Sequence, residues 1–315
     1  PILQHSIPHK GGIDMILRKG FLLVGMIVFS TGLAGITSAD HYPGREDPRY
    51  QDVPYIEMET LYQHFLKDKI LIVDVRSHLE YKTIHAEGAH HIALASSSFE
   101  AELRILAKTY PETPISFYCN GTTCLKSYEA QIRATDAGIE NTYAFDAGIP
   151  AWAERYPEHT ILLERPLSES TVQWISDEEF HRKCVSWEEF QQLAVQENSR
   201  VIDARDNVQK GVVDPAVKGQ LNSDEERMLE EFSHKNEAML AMLGDTSPVI
   251  AQPMDQLIKR VVSKELFKDQ TLLIFDQVGK QVRWLMYHLE AAGYTRYYFL
   301  PGGAYDVIGI QAYRE

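Results

Sequence analysis

Pro114 to Gly138 reads PISFYCNGTTCLKSYEAQIRATDAG. Ile115 to Tyr118 is a short apolar and aromatic run of the kind that forms a buried parallel strand. Cys119 closes the run. A polar loop follows, with Asn120, Gly121, Thr122 and Thr123 ahead of a second cysteine, Cys124. The remainder predicts an amphipathic helix from about Tyr128 to Ala137, ended by Gly138. In an open α/β sheet, ligands collect at the carboxyl ends of the strands. A thiol placed there faces the first-turn N–H groups and the positive end of the helix dipole. That setting lowers a cysteine pKa and stabilises an anion on sulfur. Gly121 lets the loop backbone curl inward, and Lys126 adds a positive charge nearby.

The same pattern is written a second time. ILIVDVR (Ile70–Arg76) parallels SRVIDAR (Ser199–Arg205), and PISFYC parallels TLLIFD (Thr271–Asp276). Each of the latter runs leads into a glycine-containing loop and a helix ending in Ala-Gly, at Ala137-Gly138 and Ala292-Gly293. A further glycine follows each time, Gly148 in YAFDAGIPAW and Gly303 in YYFLPGGAYD. A period of about 110 to 140 residues is a domain duplication rather than a solenoid. The expected fold class is α/β, with two domains that are each a mostly parallel sheet flanked by helices. The first domain is read over residues 40–158, a charged linker over 159–183, and the second domain over 184–315. The second copy carries an insertion, SDEERMLEEFSHKNEAMLAMLGD. Its Met228, Phe232, Met239 and Leu243 recur at helical spacing and predict a helix that packs on the body.

The chain has 315 residues, 44% hydrophobic and 24% charged, which fits a globular protein and not a disordered or multi-span membrane chain. Its net charge of −14 argues against nucleic acid as a partner. Three cysteines are too few for a disulfide scaffold. Residues 1–39 read as an upstream extension plus a signal peptide: basic Arg18 and Lys19, an apolar run from Phe21 to Phe29, then small residues with Thr37 and Ala39 before a cut at Asp40. The expected location is periplasmic or secreted, an oxidising setting, with a membrane anchor facing the periplasm as the alternative.

No histidine sits beside Cys119 in sequence, so a Cys-His hydrolase has no local support. A phosphatase loop requires an arginine to grip phosphate with two hydrogen bonds, and this region offers Lys126 instead. A helix-cradled thiolate remains suited to holding a sulfur atom as a persulfide. With DVRSHLEYKTIHAEGAHHI (Asp74–Ile92), YCNGTTCLKS (Tyr118–Ser127) and DAGIPAW (Asp146–Trp152) in this order, the chain resembles the tandem-domain rhodanese-like sulfurtransferases. Ala147 replaces the first glycine of the family's closing segment. The resemblance implies that Cys119 carries the transferred sulfur as a persulfide. A small anionic donor such as thiosulfate would leave as sulfite, and a thiol or cyanide would accept the sulfur. It implies a binding loop of Asn120, Gly121, Thr122, Thr123, Cys124 and Lys126, whose N–H groups from Asn120 to Cys124 hold the persulfide. No metal or other cofactor is called for.

The chain also departs from the pattern. Cys124 lies inside the loop, where its thiolate can attack a persulfide on Cys119, giving a disulfide and sulfide. The alternative reading is a small buried residue at the helix start. The active loop is two residues longer than its counterpart in the second copy. DQVGKQVR (Asp276–Arg283) offers a carboxylate where the nucleophile should be, so the second domain is expected to be catalytically silent; an anion site near Lys280 and Arg283 is a weaker idea. His85, His90 and His91 are expected to be structural. Asp74 and Arg76 are expected to brace the sheet edge, with Arg76 pairing with Glu80. Cys184 is expected to be a bystander, and Trp152, Trp174, Trp187 and Trp284 packing residues. The competing functions are a periplasmic thiol-disulfide redox protein using Cys119 and Cys124, and a noncatalytic module that binds a sulfur species for a protein acceptor in the same compartment.

Overall fold

The computed structural model describes residues 41–310, apart from 208, 213–217 and 244–248. The signal peptide and extension read over residues 1–39 lie outside the described residues. Asp40–Glu315 is one compact unit. Among the described residues no helix is long and apolar enough to cross a membrane.

The strands of the first half are β1 (Leu71–Asp74), β2 (Ile84–Ala86), β3 (His90–His91), β4 (Ile115–Tyr118), β5 (Thr142–Phe145), β6 (Thr160–Leu162) and β7 (Arg165–Pro166). Those of the second half are β8 (Ser199–Asp203), β9 (Ile250–Ala251), β10 (Thr271–Phe275) and β11 (Tyr297–Phe299). The first parallel sheet has the order β3-β1-β4-β5. The second, also parallel, has the order β9-β8-β10-β11. A parallel bridge from Tyr55 to Ala144 extends the first sheet beyond β5, and one from Cys184 to Phe299 extends the second beyond β11. The two sheets thus run through corresponding chain positions in the same order. Parallel sheets flanked by helices fit a rhodanese-like fold.

Alternation along the central strands distributes side chains to two cores. Val73, Ile115, Phe117 and Cys119 join Phe99 and Leu103 of the helix Phe99–Thr109, and Ala130 and Ala134 of the helix Lys126–Asp136. Ile72 and Tyr118 point the other way. They share one buried cluster with Trp152 and with Leu272, Trp284 and Tyr287 of the second half. The facing sides of the two sheets are therefore closed by a common core. Residues 159–183, read as a linker, belong to that packed body: β6 pairs antiparallel with β2 and β7, and Leu162, Leu167, Val172, Ile175 and Phe180 are buried. Apolar residues spaced irregularly among charges give this stretch its anchors.

Helix starts follow from capping chemistry. Ser77 with Glu80, Ser176 with Glu179, and Asn222 with Glu225 each form a reciprocal capping box. The last opens the inserted helix Ser223–Ala241. Met239 and Leu243 are buried and Phe232 meets Tyr305 edge-on, so the end of the insertion packs on the body. Met228, expected on the same face, is 68% exposed: the first turns stand away from the core.

The helix Gln281–Ala291 packs on the helix His78–Thr83, where His288 Nε2 lies 3.0 Å from Thr83 Oγ1. Burial pushes the His288 imidazole down from its ordinary 6.5 to about 4. The unfolded chain then binds a proton that the folded chain refuses between those two values. Stability should be complete above about pH 6.5 and decline as the pH falls toward about 4. Thermal melts of His288→Gln should show a smaller loss of Tm over this window than the parent, and equal losses would refute the assignment.

Candidate active site

Cys119 follows β4 directly, and the helix Lys126–Asp136 begins seven positions later, two residues earlier than Tyr128. In the second half Asp276 follows β10 and the helix begins at Gln281. The first loop is thus the longer by two residues. Inside it Cys119 is joined to Cys124 in a disulfide, with Cα atoms 6.2 Å apart. The two sulfurs sit differently: Cys119 is 1% exposed, whereas Cys124 is only partly buried.

The turn between them depends on two glycines. Gly121 has φ +120°, which side chains other than glycine rarely adopt, and its carbonyl accepts from the Cys124 N–H at 2.9 Å. Gly148, which follows β5 as Gly303 follows β11, presses on the loop from behind. A Cβ there would lie 2.5 Å from Gly121 N and 2.6 Å from the Cys119 carbonyl oxygen, at φ +65°. The next N–H, that of Ile149, donates to the Cys119 carbonyl at 3.0 Å. Gly148→Ala should therefore displace the cysteine loop and cost at least about 2 kcal/mol, from the positive φ and the backbone clash together. Urea denaturation checks this; a loss below about 0.5 kcal/mol would refute it.

A buried ion pair fixes the other side of the loop. Arg76 Nε and Nη2 donate to the two oxygens of Asp74 at 3.0 and 2.6 Å, with both side chains out of solvent. Tyr118 OH donates to the same carboxylate at 2.6 Å. Arg76 Nη1 reaches Asn120 Oδ1 at 3.3 Å, and Asn120 Nδ2 donates to Glu80. The direct partner of Arg76 is thus Asp74, and its link to Glu80 runs through Asn120. Despite burial, the positive charge of Arg76 and hydrogen bonds from Ser77 and Asn120 hold the Glu80 carboxyl below its ordinary range.

Of the residues read as the binding loop, Gly121 and Cys124 form the turn itself, with Cys119, read as the sulfur carrier, at its start. Asn120 turns its side chain to the Arg76–Glu80 brace. Thr123 is exposed, Thr122 and Lys126 are partly buried, and Lys126 is the first residue of the helix. The Cys124 N–H, expected to cradle a persulfide, is engaged by Gly121 in this oxidised form because the turn is tight. Sequence reasoning marked Gly148 without giving it a task. It also passed over Asp146, which accepts from Arg45 Nε at 2.7 Å and from Tyr128 OH and so pins the helix behind the cysteines. A carboxylate directly after β5 was the available signal. His85 and His91 stack on Tyr81 and bond to the carbonyls of Tyr81 and Arg76. Burial pushes the half-buried thiol of Cys184 up to about 11. Arg283 is spent on the carbonyl of Ile175 and on Asp177.

The corresponding position in the second half carries its own anion. Asp276, 1% exposed, accepts backbone N–H bonds from Val278 at 2.9 Å, Gly279, Gln281 at 2.6 Å and Val282 at 3.0 Å. Burial raises its pKa against the pull of these four donors. Its carboxylate fills the cradle at the start of the helix Gln281–Ala291. Asp276→Ala would strand those donors and should destabilise the protein by about 3 kcal/mol. A change under about 1 kcal/mol in urea denaturation would contradict this role. The rest of the plan repeats: Asp203 pairs with Arg205 at 2.8 Å, and a Cβ on Gly303 would meet the Asp276 carbonyl at 2.6 Å. Asn236 of the inserted helix takes the place of Asn120, accepting from Arg205 at 2.6 Å.

The candidate site is thus a cysteine at the carboxyl end of a central parallel strand, in a turn backed by glycine. Residues 57–155 match the model of the rhodanese-like domain. Such a domain suggests sulfur transfer at the level of the superfamily. Among solved structures, the chain is similar to the BH2092 protein from Bacillus halodurans, at 20% identity over 44% of this chain and 97% of that one, with a TM-score of 0.32. It is similar to wild-type EanB at 13% identity, over 84% of this chain and 62% of that one, with a TM-score of 0.33. The anaerobic ergothioneine biosynthesis enzyme from Chlorobium limicola, in complex with trimethyl histidine, matches at 12% identity over 84% of this chain and 63% of that one, with a TM-score of 0.33. The chain spans less than two thirds of the length of these last two proteins.

Proposed function

We propose that the protein is a sulfurtransferase in which Cys119, once reduced, takes a sulfane sulfur from a small anionic donor such as thiosulfate. The Cys119 thiolate attacks the outer sulfur, the donor S–S bond breaks, and sulfite leaves with the electron pair. A thiol or cyanide, or a protein acceptor in the same compartment, then takes the sulfur from the persulfide. The observation that carries this reading is the position of Cys119 between the end of β4 and a helix start, within a rhodanese-like domain. The second half is proposed to be an inactive rhodanese-like domain. Its strand order, its Asp203–Arg205 pair and the self-filled cradle at Asp276 support that assignment. Export to the periplasm or beyond is supported by the Met15–Ala39 pattern. The test is thiocyanate release from thiosulfate and cyanide by the reduced protein; no turnover with any sulfane donor would count against it.

The disulfide favours a second reading, thiol-disulfide exchange through Cys119 and Cys124. The two readings join if Cys124 attacks the Cys119 persulfide: the disulfide forms and sulfide leaves. Cys124→Ser separates them. A transferase should keep thiocyanate release within about threefold, whereas a redox protein should lose its activity.

A further inference from the structure

We infer that an incoming thiolate opens the oxidised site by attacking Cys124, with Cys119 as the leaving group. The inference builds on the proposed sulfur-carrier role of Cys119 and assigns the regulation of that site. Attack on a disulfide proceeds in line with the bond that breaks, so the attacked sulfur needs open space on its far side. Its leaving partner needs stabilisation as a thiolate. Cys119 lacks the open space. It is 1% exposed, lies in the cluster of Val75, Phe117 and Ala130, and has Gly148 and Ile149 against its backbone. Cys124 is partly exposed and stands beside the exposed Thr123. Cys119 sits at the carboxyl end of β4, in the loop that leads into the helix Lys126–Asp136, a setting that favours a thiolate.

The step balances. The thiolate sulfur bonds to Cys124, the Cys119–Cys124 bond breaks, and its electron pair leaves on Cys119. A second thiolate then attacks the outer sulfur of the mixed disulfide. Cys124 is released as a thiolate and the two reductant sulfurs leave joined. The co-reactant is a thiol, which is oxidised as the protein is reduced. While Cys124 carries the mixed disulfide it cannot attack a persulfide on Cys119. Capping Cys124 therefore switches the loop from sulfide release to sulfur delivery. The residue that meets the thiol is the added cysteine, and the residue that carries the sulfur is the buried one.

The test uses the oxidised full chain, a short exposure to glutathione, an acid quench, alkylation and peptide mapping by tandem mass spectrometry. Glutathione on Cys124 with alkylated Cys119, in at least about tenfold excess over the reverse, is the expected result. Glutathione on Cys119, an even distribution, or oxidised protein without the Cys119–Cys124 bond would overturn the inference. A second measurement covers a mixed disulfide too short-lived to trap. In a Cys184→Ala background, the Cys119→Ser and Cys124→Ser variants are reacted with an aromatic disulfide. Cys124 should react at least about tenfold faster than Cys119, and equal or reversed rates overturn the inference. Failure of the sulfur-carrier reading would show separately, as absence of any sulfane adduct on Cys119 in the Cys124→Ser variant.

Discussion

Cys119→Ser should abolish sulfur transfer, lowering kcat/KM by at least about a thousandfold. Serine supplies an oxygen that cannot carry a sulfane sulfur, and its hydroxyl is not ionised at neutral pH. The substitution is close in size, so the fold should survive: Cys119 packs in a cluster held by Ile115, Phe117 and Ala130, and its backbone carbonyl still accepts from Ile149. The variant also loses the disulfide, which leaves Cys124 as a free thiol. If that thiol sustained transfer at more than about a tenth of the parent rate, the roles of the two cysteines would have to be exchanged. The measurement is thiocyanate release under reducing conditions, with far-UV circular dichroism as the control for folding.

Arg76→Leu should be the most damaging change to stability outside the apolar core, at about 3–5 kcal/mol. Arg76 is completely buried, and its guanidinium is spent on both oxygens of Asp74, on the carbonyl of Ile84 and on Asn120. It also lies 5.3 Å from the ring centroid of Trp284, on the second half of the chain. Leucine fills part of the volume and answers none of the polar groups. Asp74 would then be a buried carboxylate with Tyr118 and the Arg76-position N–H as its remaining donors. Against a typical total of about 5–15 kcal/mol, such a loss is a large share of the folding free energy. Loosening Asn120 should also slow transfer before the protein unfolds. Urea denaturation decides the point; a cost below about 1 kcal/mol would show that the ion pair does not brace the loop.

The unit from β4 to Gly138 was legible because a strand buried on both faces, a polar turn and an amphipathic helix each leave a pattern in the residues. The helix start was misplaced by two residues because Lys126 and Ser127 are polar and carry no periodicity. The recurrence of Asp74-x-Arg76 as Asp203-x-Arg205, and of the glycines, was legible in the residues, although not what those residues do. A pair spaced i, i+2 at a strand end folds back on itself, and only the backbone turn places Arg76 on Asp74 rather than on Glu80. Gly148 and Gly303 mark a close approach of two backbones that no local pattern encodes. The stretch 159–183 was hidden by its charge, since its buried residues are too irregular for a helix or strand period. The Asp276 cradle was half visible. The carboxylate could be read as an absent nucleophile, but its four N–H donors come from the curl of the loop.

The central claim is that Cys119 carries sulfur, and intact-mass and peptide mass spectrometry of the Cys124→Ser variant, in which no neighbouring thiol can resolve a persulfide, test it most directly after reduction and exposure to thiosulfate. A mass gain of about 32 Da placed on Cys119, and removed by cyanide, is the predicted result. A reduced Cys124→Ser protein that gains no sulfur from any sulfane donor, or gains it only on Cys184, would contradict it.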